Sequence, residues 1–169
     1  MAQNKILKRL REEKASQLKG GIFHFTQVAF AYNSNHIEGS RLTEEQTRYI
    51  YETNTIGVSE NAVNVDDIVE TINHFKCFDF CIDNAEKPLS IAMIKNFHKL
   101  LKSNTSDEKK EWFNVGEFKK LPNTIGGKET TKPENVEKEI KKLLDEYNKK
   151  EKKEIEDIIE FHQKFESIH

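Results

Sequence analysis

Apolar residues recur every three to four positions along most of this chain, and only the stretch 116–127 clearly departs from helical reading. That recurrence constrains the fold more than any other feature. An apolar stripe at helical spacing is buried most simply by packing helix on helix. Punctuation is sparse: 169 residues hold 7 glycines and 3 prolines, too few for a chain of many tight turns. The expectation is an all-α fold, a single helical domain with one small β-hairpin. The length suits one domain with a real core and is short for two large ones.

Local signals place the elements. Residues 5–18 read as a charged helix and 23–31 as an apolar-rich one. Thr43 with Gln46 forms a capping box that opens the next helix. Residues 65–82 carry Val65, Ile68, Val69, Ile72 and Phe75 on one stripe. Phe78, Phe80 and Ile82 widen that stripe, so this helix is expected in the interior. Pro88 is read as the start of a helix bearing Ile91, Ile94, Phe97, Leu100 and Leu101, and 103–114 as loop. Thr131 with Glu134, and Pro133 between them, marks a helix reaching about Asn148. The last helix runs from about Glu154, with Ile155, Ile158, Ile159, Phe161, His162, Phe165 and Ile168 on one half of its circumference. His169 leaves that half and is expected to point inward. Within 116–127, Phe118, Leu121 and Ile125 are candidate strand residues, punctuated by Pro122 and Gly126-Gly127.

Charge and composition exclude several function classes. Lys and Arg number 27 and Asp and Glu 29, a net charge of -2 with the signs interspersed. That balance gives no electrostatic case for nucleic-acid or membrane binding. The lysine-rich stretch 138–153 is interleaved with acidic residues and has no aromatic platform for bases. There is no apolar N-terminal run of signal-peptide type and no run of about 18 apolar residues, so no transmembrane helix is expected. Cys77 and Cys81, the only cysteines, stand four apart in an apolar helix and read as packing residues. No metal site is expected. The expected location is the reducing cytoplasm.

Two short patterns bear on function. In Ser34-Asn35-His36-Ile37-Glu38-Gly39, the i,i+4 spacing puts Ser34 and Glu38 on one helix face. An N-terminal capping box would need S-x-x-E, and Ile37 breaks that register. The second pattern is Phe165-Glu166-Ser167-Ile168-His169 at the end of the amphipathic final helix. A histidine there suits a general base, because its unperturbed pKa lies near neutrality. His36, His74 and His98 read as packing or surface residues.

These patterns, with 116–127 between them, resemble the Fic (filamentation induced by cAMP) family over about residues 21–169, leaving 1–20 as an N-terminal helix. In that family the histidine opens a loop written HPFxxGNGR, and [S/T]xxxE[G/N] is an inhibitory pattern. The resemblance implies a protein adenylyltransferase. His169 would deprotonate a Tyr, Thr or Ser hydroxyl of a target protein. The hydroxyl would attack the α-phosphate of ATP, taking AMP and releasing pyrophosphate. The resemblance assigns Ser34, Glu38 and Gly39 to a short inhibitory helix at about 33–39, whose glutamate pairs with a loop arginine and crowds the γ-phosphate. It assigns 116–127 to a flap that docks the target as an added strand. Phe118, Lys119, Leu121, Asn123, Thr124, Ile125 and Gly126 are then the docking residues.

ATP and Mg²⁺ are the implied cofactors of the parent protein. The phosphate loop would follow His169, so these 169 residues alone are expected to bind ATP weakly and to be inactive. The same gap would bare apolar surface on the final helix, which a homo-oligomer would cover. A second reading stays open: a non-catalytic helical module that binds or regulates a protein partner.

Overall fold

The computed structural model describes residues 4–57 and 62–168. Its helices are α1 (Lys5–Ser16), α2 (Ile22–Ile37), α3 (Glu44–Thr53), α4 (Val65–Asn84), α5 (Ile91–Lys102), α6 (Pro133–Lys149) and α7 (Ile155–Ile168). A 3₁₀ turn covers Ser106–Lys109, and one antiparallel hairpin joins β1 (Thr124–Ile125) to β2 (Lys128–Glu129). The all-α architecture with one small hairpin is therefore as expected from the helical periodicity.

Helix starts follow local chemistry. The Asn4 side chain accepts from the Ile6 and Leu7 amides and opens α1. The expected capping box at α3 is present in both halves, Thr43 with Gln46. Asn64 caps α4, and Asp66 and Asp67 in its first turn complement the helix dipole. Two starts differ from expectation. The helix read from Pro88 begins at Ile91 instead, because Ser90 Oγ takes the Met93 amide and Ser90 O takes the Ile94 amide. The box read at Thr131 does not form: Lys132 is the N-cap without a side-chain bond, and Pro133 supplies the first-turn geometry. The Thr131 N–H donates to Ser167 O at 3.2 Å instead.

The chain gathers into two compact units. The first comprises Met1–Glu86 with Leu100–Ser106. Phe23, Val28, Ala31, Leu42, Ile50 and Ile82 are buried in it, beside buried polar Gln27, Thr47, Thr71 and Asn73. Asn73 Nδ2 donates to the carbonyls of Leu101 and Ser103 (3.0 and 2.8 Å). α1 is fastened by Arg11, which donates to Ile82 O and to Glu86, and by Lys14, 2.8 Å from Asp83. The interior position expected for α4 holds on one face only. Val65 is 69% exposed, and the covered residues are Thr71, Asn73, His74 and Ile82. A helix this apolar still buries only what its neighbours reach, and three of the four covered side chains are polar.

The second unit comprises Lys87–Lys99 with Asp107–His169. Its core is Val136, Ile140, Leu143, Leu144 and Ile168, with Leu89, Ile91, Ile94, Phe118, Phe161 and Phe165 packed around it. The α6 members follow i, i+4, i+7 and i+8, the stripe of an amphipathic helix. The half-wheel expected to be buried on α7 is covered only near its C-terminal end. Ile155, Ile158 and Ile159 are exposed by 67, 52 and 52%, and the His162 side chain by 70%. No described helix is long and apolar enough to cross a membrane.

Candidate functional site: a capped helix end and a small hairpin

Residues 34–37 are not a separate short helix. They are the last turn of α2, which extends to Ile37 with Glu38 as its C-cap. α2 begins against a carboxylate of α1: Glu13 Oε2 accepts the Phe23 N–H at 2.9 Å. That bond, then Arg9, holds the Glu13 carboxyl below its ordinary pKa. A Cβ on Gly21 would stand 2.3 Å from Glu13 Oε2, so any side chain there has to displace that carboxylate.

The other end of α2 closes in a Schellman motif. The Gly39 N–H donates to His36 O (3.1 Å) and the Ser40 N–H to Asn35 O (2.9 Å), with Gly39 at φ +96°. The last two letters of the Glu38-Gly39 pattern are thus a helix stop: Gly39 supplies the left-handed residue. Ser34 is half-buried and its carbonyl accepts the Glu38 N–H at 3.3 Å. Glu38 and Gly39 are exposed, and Ile37 is 82% exposed. His36 stacks on Tyr32 with ring centroids 5.5 Å apart, a surface packing role as expected. Asn35 is buried, and its Nδ2 donates to Thr71 Oγ1 of α4 at 3.0 Å. Sequence reasoning did not single out Asn35; a polar residue one turn before a glycine stop was its only signal.

The hairpin is shorter than 116–127 implied, running from Thr124 to Glu129, two residues past the expected end. Its strands pair Thr124 with Glu129 and Ile125 with Lys128. Gly126 and Gly127 form the two-residue turn at φ +57° and +78°, the positive pair that a type I′ turn demands. Thr124, Ile125, Gly126 and Asn123 are exposed on it. Phe118 and Leu121 are not strand residues. Phe118 packs on the α6 core with Lys95 Nζ 4.8 Å above its ring, and Leu121 is exposed before Pro122, which has no N–H for a ladder.

A polar knot closes the base of the hairpin. The Thr130 N–H donates to Asn123 O (3.1 Å), and Lys119 Nζ donates to Asn123 Oδ1 (2.5 Å) and to Thr130 Oγ1. Desolvation lowers the Lys119 pKa. Thr130 was missed from sequence, since it lies beyond the stretch that departs from helical reading.

His169 lies outside the described residues. The residue before it, Ile168, is 8% exposed in the α6–α7 core. His98, His74 and His24 are occupied structurally, whereas the His162 side chain is 70% exposed. His98 Nδ1 accepts the Gly116 N–H at 3.1 Å, and its ring meets Phe113 edge-on. His74 is buried against Phe30, and that burial pushes its pKa down. His24 takes the Gly20 N–H on Nδ1 and faces Glu52 at 2.9 Å through Nε2. Both ring nitrogens are thereby engaged, which leaves no free base on this residue. Among the described residues no group of three or more His, Cys, Asp or Glu side chains is placed to hold a metal ion.

Residues 88–169 match the family model of the Fic/DOC family. The matched segment takes in the second compact unit from its second residue onward, together with Leu100–Ser106 of the first. A solved structure of a Fic domain-containing signalling protein from Bacteroides thetaiotaomicron is similar at 25% identity and a TM-score of 0.62. The alignment covers 84% of this chain and 55% of that one, so the chain spans about half the length of the protein it resembles. No curated protein matches the chain.

Proposed function

We propose, from the match of residues 88–169 to the Fic/DOC family model and the likeness to a solved Fic domain structure, that the full-length protein is an autoinhibited adenylyltransferase. It moves AMP from ATP to a Tyr, Thr or Ser hydroxyl of a target protein. The observation that carries the inhibitory part is the end of α2: an S-x-x-x-E-G pattern whose glutamate stands exposed on a rigidly capped helix terminus. A carboxylate held there is suited to pair with a guanidinium and to repel a triphosphate. The hairpin 124–129 supports target docking, since its exposed strands offer backbone N–H and C=O groups to an added strand. His169 is assigned as the base on the target hydroxyl.

Mg²⁺ and ATP belong to this proposal as cofactors of the full-length protein; among the described residues no group of three or more His, Cys, Asp or Glu side chains is placed to hold a metal ion. At the glycine-opened N-terminus of α2, where a helix end could seat an anion, the Glu13 carboxylate already takes the Phe23 amide. The described part of the chain contributes the inhibitor and the docking hairpin.

The test is transfer of label from α-labelled ATP by the full-length protein. Glu38→Gly is expected to raise labelling of the protein and of added substrates, and His169→Ala to abolish it. No rise with Glu38→Gly sinks the inhibitor assignment. Labelling that survives His169→Ala sinks the base assignment.

A further inference from the structure

Glu38 itself makes no side-chain bond that would fix its direction within its own turn; what is fixed is the backbone beneath it. Three contacts do this. Asn35 Nδ2 donates to Thr71 Oγ1 at 3.0 Å, between two buried residues. Asn35 O accepts the Ser40 N–H at 2.9 Å. Asp67 Oδ2 accepts the Arg41 N–H at 3.1 Å. Asp67 and Thr71 are four apart on α4, so they lie on one face and grip the chain on both sides of Glu38-Gly39. Asp66 beside them is engaged elsewhere, accepting the Ser106 N–H at 3.0 Å.

We infer that Asn35, Thr71 and Asp67 form a clamp that holds the Glu38-Gly39 end of α2 in one orientation, as positioning residues for Glu38. This rests on the inhibitory reading of Glu38. The physical logic is that an exposed inhibitor works only if its carboxylate is presented in a fixed place. A surface glutamate has too much rotamer freedom to supply that alone. A buried amide–hydroxyl bond is directional, and breaking it strands the Asn35 amide in a dry site. The clamp therefore couples the first helical turns of α4 to the end of α2, and anything that loosens it releases Glu38 without touching Glu38.

The test compares Thr71→Val, which keeps the shape and removes the acceptor, with Thr71→Ser, which keeps the hydroxyl. In this chain, amide hydrogen exchange of Ser40 and Arg41 is expected to rise roughly tenfold in Thr71→Val and to return toward wild type in Thr71→Ser. The rise is confined to 38–41. An even rise across α1 to α4 means only general destabilisation and overturns the clamp, as does no rise at all. In the full-length protein, Thr71→Val is expected to raise AMP transfer and to add nothing on a Glu38→Gly background. If Glu38→Gly raises transfer and Thr71→Val does not, the positioning role fails while the inhibitor stands. If Glu38→Gly has no effect, the inhibitory reading fails first and with it the positioning role, while the exchange pattern still decides whether the clamp exists.

Discussion

Replacing Gly39 separates backbone geometry from side-chain contact, because a Cβ built there meets nothing within 4 Å. Any cost of Gly39→Ala is therefore conformational. Holding alanine in the left-handed region costs about 1–2 kcal/mol. Stiffening the unfolded chain returns about 0.4–1 kcal/mol. The net is a destabilisation of about 1 kcal/mol, which lowers the melting temperature of a chain this long by roughly 2–4 °C. Asparagine tolerates the same region better, so Gly39→Asn should fall between alanine and wild type. The measurement is a thermal melt by circular dichroism for the three proteins, with hydrogen exchange at Ser40. That amide is the one whose bond to Asn35 O depends on Gly39 at φ +96°. The result that refutes the reasoning is alanine and asparagine variants of equal stability, or an unchanged Ser40 amide in Gly39→Ala. Either would mean that the helix end does not depend on the left-handed residue.

Two further predictions follow from the same kind of comparison. Thr43→Ala should cost about 1 kcal/mol through loss of the α3 capping box, whereas Thr131→Ala should cost much less, because Thr131 bonds Ser167 through its backbone; urea unfolding of both variants checks the contrast. Burial lowers the His74 pKa in the folded state below its ordinary 6.5. Above pH 6.5 both states are neutral there. As pH falls below 6.5 the unfolded chain takes up the proton first, so stability should decline from that point until the folded pKa is reached. Denaturation midpoints measured across this window should flatten in His74→Phe, and an unchanged slope would show that His74 does not titrate differently on folding.

Legibility tracked how local the physics was. The capping box at Thr43 and the Gly126-Gly127 turn are each decided within a few residues, and each appears where the pattern places it. The failures are cases of competition. Thr131 had the letters of a cap, but its backbone was claimed by Ser167. Phe118 had the letters of a strand residue, but the α6 core was a better place for its ring. Ile155, Ile158 and Ile159 belong to the apolar half of the α7 wheel, yet no described neighbour covers them to the degree that Ile168 is covered.

By itself the sequence determined that the chain is helical, where most helices start, and which short pattern deserves functional attention at Ser34 to Gly39. Those are consequences of periodicity and of hydrogen bonding over one turn. Tertiary structure alone decided that this pattern is the end of a longer helix, and that Asn35 within it is bound to Thr71, 36 residues away. Partners so distant leave no spacing to read. They are chosen when α2 and α4 pack and a buried amide must find an acceptor or bear the cost of having none.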